Sequence, residues 1–290
     1  MNIQNLSAFI AVSETGSFSK AANRLFITQP AVSKRISALE SELGVKLFDR
    51  IGKRVQLTEA GSALVPSCLR ILAELEESRR IVNNLSGHIG GQLKIGTSHH
   101  IGLHRLPPVL SHYTRLYEQV DLDIHFMDSE EACAAVLKGE LEIAIATLPD
   151  KAPAKLATHI IWHDPLGVVV SRKHPLAKQK NVTLKNLVEH PAILPSQSTY
   201  TRALLEKMLG IRTDKLKIAM ETNYLETIKT MASIGLGWSV LPLGMCDKNL
   251  VHIDINNTTM LRKLGVAWHR ERTLSNAAKR LIDVLKEHAD

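Results

Sequence analysis

Residues 18–44 read FSKAANRLFITQPAVSKRISALESELG, and this stretch contains two amphipathic helical patterns separated by a short turn. Apolar residues recur at helical spacing from Phe18 to Leu25, which predicts the first helix of the pair. Either Ser17 or Ser19 can cap it, because a serine hydroxyl accepts an unpaired backbone N–H at a helix start. A three-residue turn follows.

The second helix of the pair is predicted to begin after Thr28 and to end at Gly44. The Thr28 hydroxyl can cap it, and Pro30 in its first turn costs no helical hydrogen bond. One side of this helix is apolar, whereas the other carries small, polar and basic residues. The residues of that outward side are Pro30, Ser33, Lys34, Ser37 and Ser41.

This helix, turn and helix arrangement is typical of a helix-turn-helix. Short side chains would let the second helix enter a major groove about 12 Å wide. Gln29, Ser33 and Lys34 could then reach base edges or phosphates. A plain three-helix bundle with solvated serines has the same spacing, so the pattern alone leaves both interpretations open.

Residues 45–57 predict a β-hairpin with a basic tip. Alternating runs at 45–48 and 55–57 flank a six-residue segment that contains Arg50, Lys53 and Arg54. Three cations on a turn could contact the phosphate backbone beside the groove, which would position the protein without reading sequence. A merely solvated basic loop is the alternative.

A family resemblance rests on AFIAVSETGSFSKAANRLFITQPAVSKRISALESELGVKLFDR at 8–50 and VQLTEAG at 55–61. The run closely resembles the DNA-binding segment of the LysR-type transcriptional regulators, without a gap from about residue 6 to 61. The resemblance implies a winged helix-turn-helix within a DNA-binding domain at 1–58. The candidate DNA-binding residues are Ser17, Ser19, Thr28, Gln29, Pro30, Ser33, Lys34, Arg50, Lys53 and Arg54.

Residues 59–90 predict a long helix followed by a hinge at SGHIGG. Its seam repeats every 3.5 residues, which is the spacing of a coiled coil. The seam residues are Leu64, Cys68, Ile71, Leu75, Ser78, Val82 and Leu85. Pro66 is expected to kink the helix or to precede its regular part. Packing within its own domain is the alternative, but the charged outer side favours a partner helix, and the resemblance implies homodimers that assemble into homotetramers.

From residue 92 onward, strands and helices alternate, which predicts an α/β fold with a largely parallel sheet. Strands are predicted at 93–97, 120–126, 142–147, 166–171, 192–195, 216–221, 238–242 and 263–269, and helices at 103–117, 129–138, 224–232 and from 275. The resemblance implies an effector-binding domain at 91–290 with the two-lobed, type 2 periplasmic-binding-protein-like architecture. One lobe would comprise about 91–161 and 268–290, and the other about 162–267.

A ligand would bind between the lobes, because open α/β sheets bind ligands beyond the carboxyl ends of their strands. Hydroxyls and helix starts at these ends favour a small carboxylate or another anion, and Arg202 could make a bidentate contact. Ordinary caps and a solvated arginine are the alternatives. The candidate effector-binding residues are Thr97, Ser98, His99, His100, Thr147, Ser196, Thr199, Arg202, Thr222 and Asn223.

Metal binding and catalysis are not predicted. His100 and His104 lie one helical turn apart, but no nearby cysteine or carboxylate completes a tetrahedral zinc site. G-x-S-x-G, H-E-x-x-H and Walker motifs are absent, which argues against an enzyme. A transport component would share the two-lobed domain, but the N-terminal 90 residues argue against it. We therefore expect no cofactor beyond a small-molecule effector.

Length and charge complete the prediction. The 290 residues suit about two domains, and 36 basic against 29 acidic residues give a net charge of +7. Residues 1–90 hold 11 basic and 8 acidic side chains, so the excess is not concentrated there. Three isolated cysteines and the lack of a signal peptide or membrane span predict a cytoplasmic protein. The expected partners are double-stranded promoter DNA, the effector, further copies of the chain and RNA polymerase, with activation or repression open.

Overall fold

The computed structural model describes residues 1–51, 54–179, 181–210, 216–255 and 260–290, without the side chains of residues 50, 51, 54 and 209. It divides into two compact units. The first comprises Met1–Ser86 with Lys138–Glu140, and the second comprises Gly87–Leu137 with Leu141–Asp290.

The first unit is a helical bundle with a two-stranded wing. Its elements are α1 (Ile3–Thr15), α2 (Phe18–Arg24), α3 (Gln29–Leu43), β1 (Phe48–Ile51), β2 (Arg54–Leu57) and α4 (Glu59–Leu85). The Ser17 hydroxyl accepts the Lys20 N–H and the Thr28 hydroxyl accepts that of Ala31, each at 3.4 Å, so the predicted caps of both helices are confirmed and Ser17, not Ser19, caps α2. Gly44 ends α3 at φ +70°, a conformation that glycine adopts without steric cost.

The wing begins later than the sequence pattern predicts. The antiparallel strands start at Phe48 rather than at residue 45, and Phe48 pairs with Leu57. The Glu40 carboxylate accepts the N–H groups of Leu47 and Phe48, at 2.9 and 3.4 Å, so this segment is held against α3 before the strand starts. Pro66 lies inside α4, near its start.

The second unit is an α/β domain. Its strands are β3 (Gly91–Thr97), β4 (Val120–Phe126), β5 (Ile143–Thr147), β6 (Leu156–Ser171), β7 (Ala192–Leu194), β8 (Ile218–Glu221), β9 (Ser239–Pro242), β10 (Leu250–Ile253) and β11 (Met260–His269). Its helices are α5 (His99–His104), α6 (Leu106–Leu116), α7 (Ser129–Lys138), α8 (Leu184–Val188), α9 (Tyr200–Leu209), α10 (Leu225–Ser233) and α11 (Asn276–Glu287).

The main sheet is mixed, so the prediction of a largely parallel sheet is wrong. Its order is β10-β6-β11-β5-β3-β4, with β9 paired to β6. Among the described residues, its parallel pairs are those of β3 with β4 and β5, whereas β11 is antiparallel to both β5 and β6. The reason is topological: β6 takes the chain from one lobe to the other, and β11 runs beside it in the opposite direction as the chain returns.

Two apolar cores show where the lobes meet. Trp162 on β6 and Leu264 on β11 belong to the core of the first lobe. Leu166 and Met260 on the same strands belong to the core of the second. The crossing on β11 therefore lies several residues before the predicted position at 267–268, because the predicted strand began too late.

Two further differences concern helices. The predicted helix at 103–117 is two helices, α5 and α6, because Pro107 and Pro108 start a new helix after Arg105. Proline has no N–H to donate to the preceding turn and its ring collides with the carbonyl four residues earlier, whereas it is well tolerated in a first turn. Helices α8 and α9 and strand β10 have no counterpart in the prediction.

Candidate ligand cleft and helix-turn-helix surface

Helix α3 presents the predicted groove-facing residues on the outside of the first unit. Gln29, Pro30 and Lys34 are exposed, and Ser33 is half-buried. Ser17 and Thr28 use their hydroxyls as helix caps, and Ser19 is exposed. Lys53 and the side chains of Arg50 and Arg54 lie outside the described residues.

Sequence reasoning missed Phe26, which lies in the turn between α2 and α3. Its side chain is 95% exposed and its backbone has φ +53°. A left-handed phenylalanine is uncommon, and the apolar ring gains nothing from water. The signal in the sequence was an aromatic residue directly after Leu25, where the apolar side of α2 is already complete.

The second unit contains a cavity of about 390 Å³ between its lobes, which is within the usual size range of small-molecule sites. It lies beyond the carboxyl ends of β3, β4, β5 and β8 and beside the start of α9. The predicted effector-binding residues that line it are Ser98, His99, His100, Thr147, Thr199 and Asn223. This is the edge at which the strand-end argument expected a ligand.

Thr97, Ser196 and Thr222 do not line the cavity, and local hydrogen bonds explain why. The buried Thr97 hydroxyl donates to the Ile145 carbonyl at 2.8 Å. The Ser196 N–H donates to Asn223 Oδ1 at 2.8 Å, and the Thr222 hydroxyl accepts the Tyr224 N–H at 3.4 Å. These three residues stabilise the loops that contain the lining residues of the cavity.

The prediction for Arg202 is wrong. Its side chain is fully buried, donates to the Pro195 carbonyl at 2.8 Å and lies 3.7 Å from Glu206. Burial lowers the pKa of the Arg202 guanidinium, with Glu206 and Glu221 opposing that effect. The Arg202 guanidinium is buried inside the second lobe and bonded there. It is therefore neither a bidentate contact to a ligand nor a solvated charge.

Arg262 is the cation that sequence reasoning missed. It lies on β11, lines the cavity and is bonded to Asp164 of β6, with Nε and Nη2 at 3.0 and 2.5 Å from Oδ2. Both side chains are buried. Arg262 Nη1 also lies 3.5 Å from the Thr201 hydroxyl. Arg262 lies one residue before the strand predicted at 263–269. The alternation of apolar residues therefore did not assign Arg262 to the sheet.

The first lobe contributes an acidic wall to the cavity, with Asp128, Glu130 and Glu131 among the lining residues. Asn223 Nδ2 donates to Asp128 Oδ2 at 2.5 Å, and the Tyr200 N–H donates to Glu130. Burial raises the pKa of Glu130, although the hydrogen bond from Tyr200 opposes it. The lobes are thus joined across the cavity, whose lining combines carboxylate acceptors with a guanidinium and hydroxyls.

A second polar cluster lies beside the cavity. Glu226 Oε1 is 2.9 Å from His104 Nε2 and 3.5 Å from His100 Nδ1. The sequence-based statement that no carboxylate accompanies these histidines is therefore wrong, because folding brings Glu226 from α10. Burial lowers the pKa of His100 to about 4, with the positive charge of Arg262 next in effect.

Comparison with known proteins identifies the family. Residues 3–62 match the bacterial regulatory helix-turn-helix protein model of the lysR family, and residues 86–290 match the LysR substrate binding domain. This chain belongs to the LysR family. It is a LysR-type DNA-binding transcriptional regulator with an effector-binding domain, and its relatives are regulators, not enzymes.

Two curated relatives illustrate the match. An uncharacterized HTH-type transcriptional regulator of Azotobacter vinelandii is 64% identical over 108 residues, which are 37% of this chain and 75% of that protein. A probable RuBisCO transcriptional regulator of Porphyra purpurea is 33% identical over 288 residues, covering 96% of this LysR-type regulator and 90% of the relative.

Solved structures show the same fold. CbnR complexed with its target DNA is 22% identical, has a TM-score of 0.66 and is matched over 100% of both chains. The effector-binding domain of QuiR in complex with shikimate is 19% identical with a TM-score of 0.60, covering 69% of this chain and 97% of that domain. In the part of this LysR-type regulator that the structure describes, no helix is long and apolar enough to cross a membrane.

Proposed function

We propose that this regulator is gated by a small carboxylate that also carries hydroxyl or ammonium groups, bound in the cavity between the lobes. The observation that carries the proposal is the combination of carboxylates with a guanidinium and hydroxyls in the lining of a cavity of about 390 Å³. Arg262, Thr199 and Thr201 suit an anion, because a guanidinium and hydroxyls donate hydrogen bonds. The carboxylates of the first lobe accept them from hydroxyl or ammonium groups.

The acidic wall narrows the sequence-based expectation of any small anion. A purely anionic ligand would lie close to Asp128, Glu130 and Glu131, where like charges repel. A hydroxylated or amino carboxylate can turn its anionic end toward Arg262 and its donors toward that wall. The shikimate in the related QuiR domain is itself a small carboxylate, which supports this class.

Gating requires that the effector bind one arrangement of the lobes more tightly than another, since equal binding shifts no equilibrium. The ligand cavity is walled by both lobes, and Asn223 already bonds to Asp128 across it. A ligand that bridges Arg262 and Asp128 would add differential contacts to the closed arrangement. The resulting population shift is the proposed signal to the DNA-binding domain.

The domain roles belong to the same proposal. Residues 1–58 bind promoter DNA, with Gln29, Pro30, Ser33 and Lys34 of α3 at the major groove and Arg50, Lys53 and Arg54 of the wing at phosphates. Residues 59–90 join two protomers, and 91–290 sense the effector and assemble dimers into tetramers. The protein acts in the cytoplasm beside RNA polymerase, its further partner when it activates.

The test is calorimetric titration of the full chain with hydroxy acids, amino acids and plain carboxylates. We expect a hydroxy or amino acid to bind, and Arg262→Gln to weaken that binding by about tenfold or more, because it removes a charged hydrogen-bond donor. Lys263→Gln is the matched control, because Lys263 is exposed and adjacent strand residues point to opposite faces.

Asp128→Asn provides a second variant in case the Arg262 substitution disturbs the buried pair. It should weaken binding of ligands with an ammonium group more than that of their hydroxyl counterparts. Equal binding by wild type, Arg262→Gln and Lys263→Gln, or binding by hydrocarbons alone, would contradict the proposed effector class.

A further inference from the structure

His100, His104 and Glu226 converge on one point between the two lobes. The histidines lie one turn apart on α5, and Glu226 lies in the first turn of α10. Their ligand atoms all lie within 4.8 Å of one another. The convergence on one carboxylate oxygen, at 2.9 and 3.5 Å, is close to the separation of about 3.3 Å that tetrahedral bonds of 2.0–2.1 Å impose on neighbouring ligands.

Two atoms of this cluster have unusual surroundings. His100 Nδ1 and Glu226 Oε2 are buried and have no hydrogen-bond partner among the described residues. The His100 side chain exposes only 9% of its surface, and its Nδ1 faces Glu226. Buried polar atoms are nearly always paired in native proteins, and a bound ion is one of the recognised reasons for an exception.

We propose that His100, His104 and Glu226 form a site for a divalent transition metal of the zinc type, which links the two lobes of the effector domain. Two imidazoles and one carboxylate are ligands that such ions prefer, and they leave a fourth position open. His100 and Leu225 also line the effector cavity, so that position faces the space where a water or an effector donor group can lie.

The site would act on the lobes directly. Ile101 on α5 packs in the core of the first lobe, whereas Leu225 and Ile228 on α10 pack in a core of the second. An ion held by all three ligands therefore stabilises the arrangement in which α5 and α10 are close. This makes the metal a second regulatory input, and it does not depend on the chemical class of the organic effector.

The experiment is a Co²⁺ titration of the metal-free full chain without an affinity tag, followed by visible absorption. Tetrahedral Co²⁺ absorbs strongly, and the N₂O ligand set predicts no thiolate charge-transfer band. We expect one Co²⁺ per chain, displaced by Zn²⁺, with binding weakened about tenfold or more by His104→Gln and by Glu226→Gln. His125→Gln is the matched control, because His125 is an exposed histidine that pairs with Asp123 at 2.9 Å.

The His104→Gln protein is expected to fold, because the His104 side chain is about half exposed. The metal-free His104→Gln protein should melt like the metal-free wild type, and Zn²⁺ should raise the melting temperature of the wild type only. Octahedral or thiolate spectra, or equal Co²⁺ affinity in the wild type, His104→Gln and His125→Gln, would overturn the metal site. The carboxylate titration with Arg262→Gln would be unaffected by that outcome.

Discussion

Glu40 is a buried carboxylate on α3 that decides how the chain leaves this helix. It pairs with Lys46 at 2.8 Å and accepts two backbone N–H groups. Burial raises the pKa of Glu40, but the hydrogen bonds from Lys46, Leu47 and Phe48 outweigh it, so the pKa lies below its ordinary value of 4.5. The ionised form is therefore part of the folded state.

We expect Glu40→Gln to destabilise the DNA-binding unit by about 1–2 kcal/mol, because charged hydrogen bonds are replaced by neutral ones. Glu42→Gln is the control, because Glu42 is an exposed carboxylate on the same helix. Trp162, Trp238 and Trp268 all lie in the second unit, so tryptophan fluorescence does not report on the first. Unfolding of the first unit is therefore followed by far-UV circular dichroism. Equal urea midpoints for the two variants would contradict this role.

The same residue sets a dependence on pH. Because the folded-state pKa of Glu40 is below 4.5, its charge contributes stability that is fully present above about pH 4.5. That contribution is lost as the pH falls through the folded-state pKa, when the carboxylate takes up a proton. The gap in stability between wild type and Glu40→Gln should therefore narrow on acidification.

At the scale of an element, α4 carries an apolar stripe that its own unit does not cover. Ile71, Val82 and Leu85 expose 40%, 65% and 85% of their surface, although all three belong to the predicted seam. Cys68, nearer the start of that seam, is fully buried against the helical bundle. The beginning of the seam therefore packs in the core of its own unit. The later part is exposed, so a second chain can pack against it.

We expect Val82→Asp to shift the dimer toward monomer, raising the dissociation constant by about tenfold or more, because an apolar interface cannot solvate a carboxylate. Asn83→Asp adds the same charge at an exposed neighbour outside the seam and is the control. Sedimentation velocity over a concentration series measures the change. Identical profiles for the two variants would place the dimer contact elsewhere.

At the scale of the whole molecule, the charge of +7 matters through its placement. Lys34 projects from the outward side of α3, where phosphates of a bound duplex would lie close. Neutralising phosphates releases counterions, so affinity for promoter DNA should fall steeply with salt. The bulk excess of basic residues does not by itself predict this slope.

We expect Lys34→Gln to reduce the slope of log K, the DNA association constant, against log salt concentration by about 1, because one lysine neutralises one phosphate. Lys279→Gln removes an equal charge from an exposed site on α11 in the effector domain and should leave the slope unchanged. Fluorescence anisotropy with a promoter duplex at several salt concentrations gives both values. A salt-independent affinity, or equal slopes for all three proteins, would contradict the placement of Lys34 beside phosphates.

The ends of the helices are features that the sequence predicts by itself. Ser17 and Thr28 cap their helices through N–H groups three residues away, and Gly16 and Gly44 end helices at positive φ. Such features depend only on neighbours, so spacing and residue type predict them. The strand-end rule also pointed to the edge of the sheet at which the cavity lies, because the carboxyl ends of parallel strands meet at one edge, and Thr147 at such an end lines the cavity.

Tertiary structure alone decided which charged groups meet. Arg262 and Asp164 are 98 positions apart, and His104 and Glu226 are 122 apart. Spacing along the chain carries no information about such pairs, because they depend on how β6 and β11 cross between the lobes and where α10 packs. Arg202 looked like a ligand contact for the same reason: the sequence shows its charge, but only packing shows that the guanidinium turns inward. The sequence thus determined the family, the helix-turn-helix and the edge of the cleft, and the fold determined the chemistry inside it.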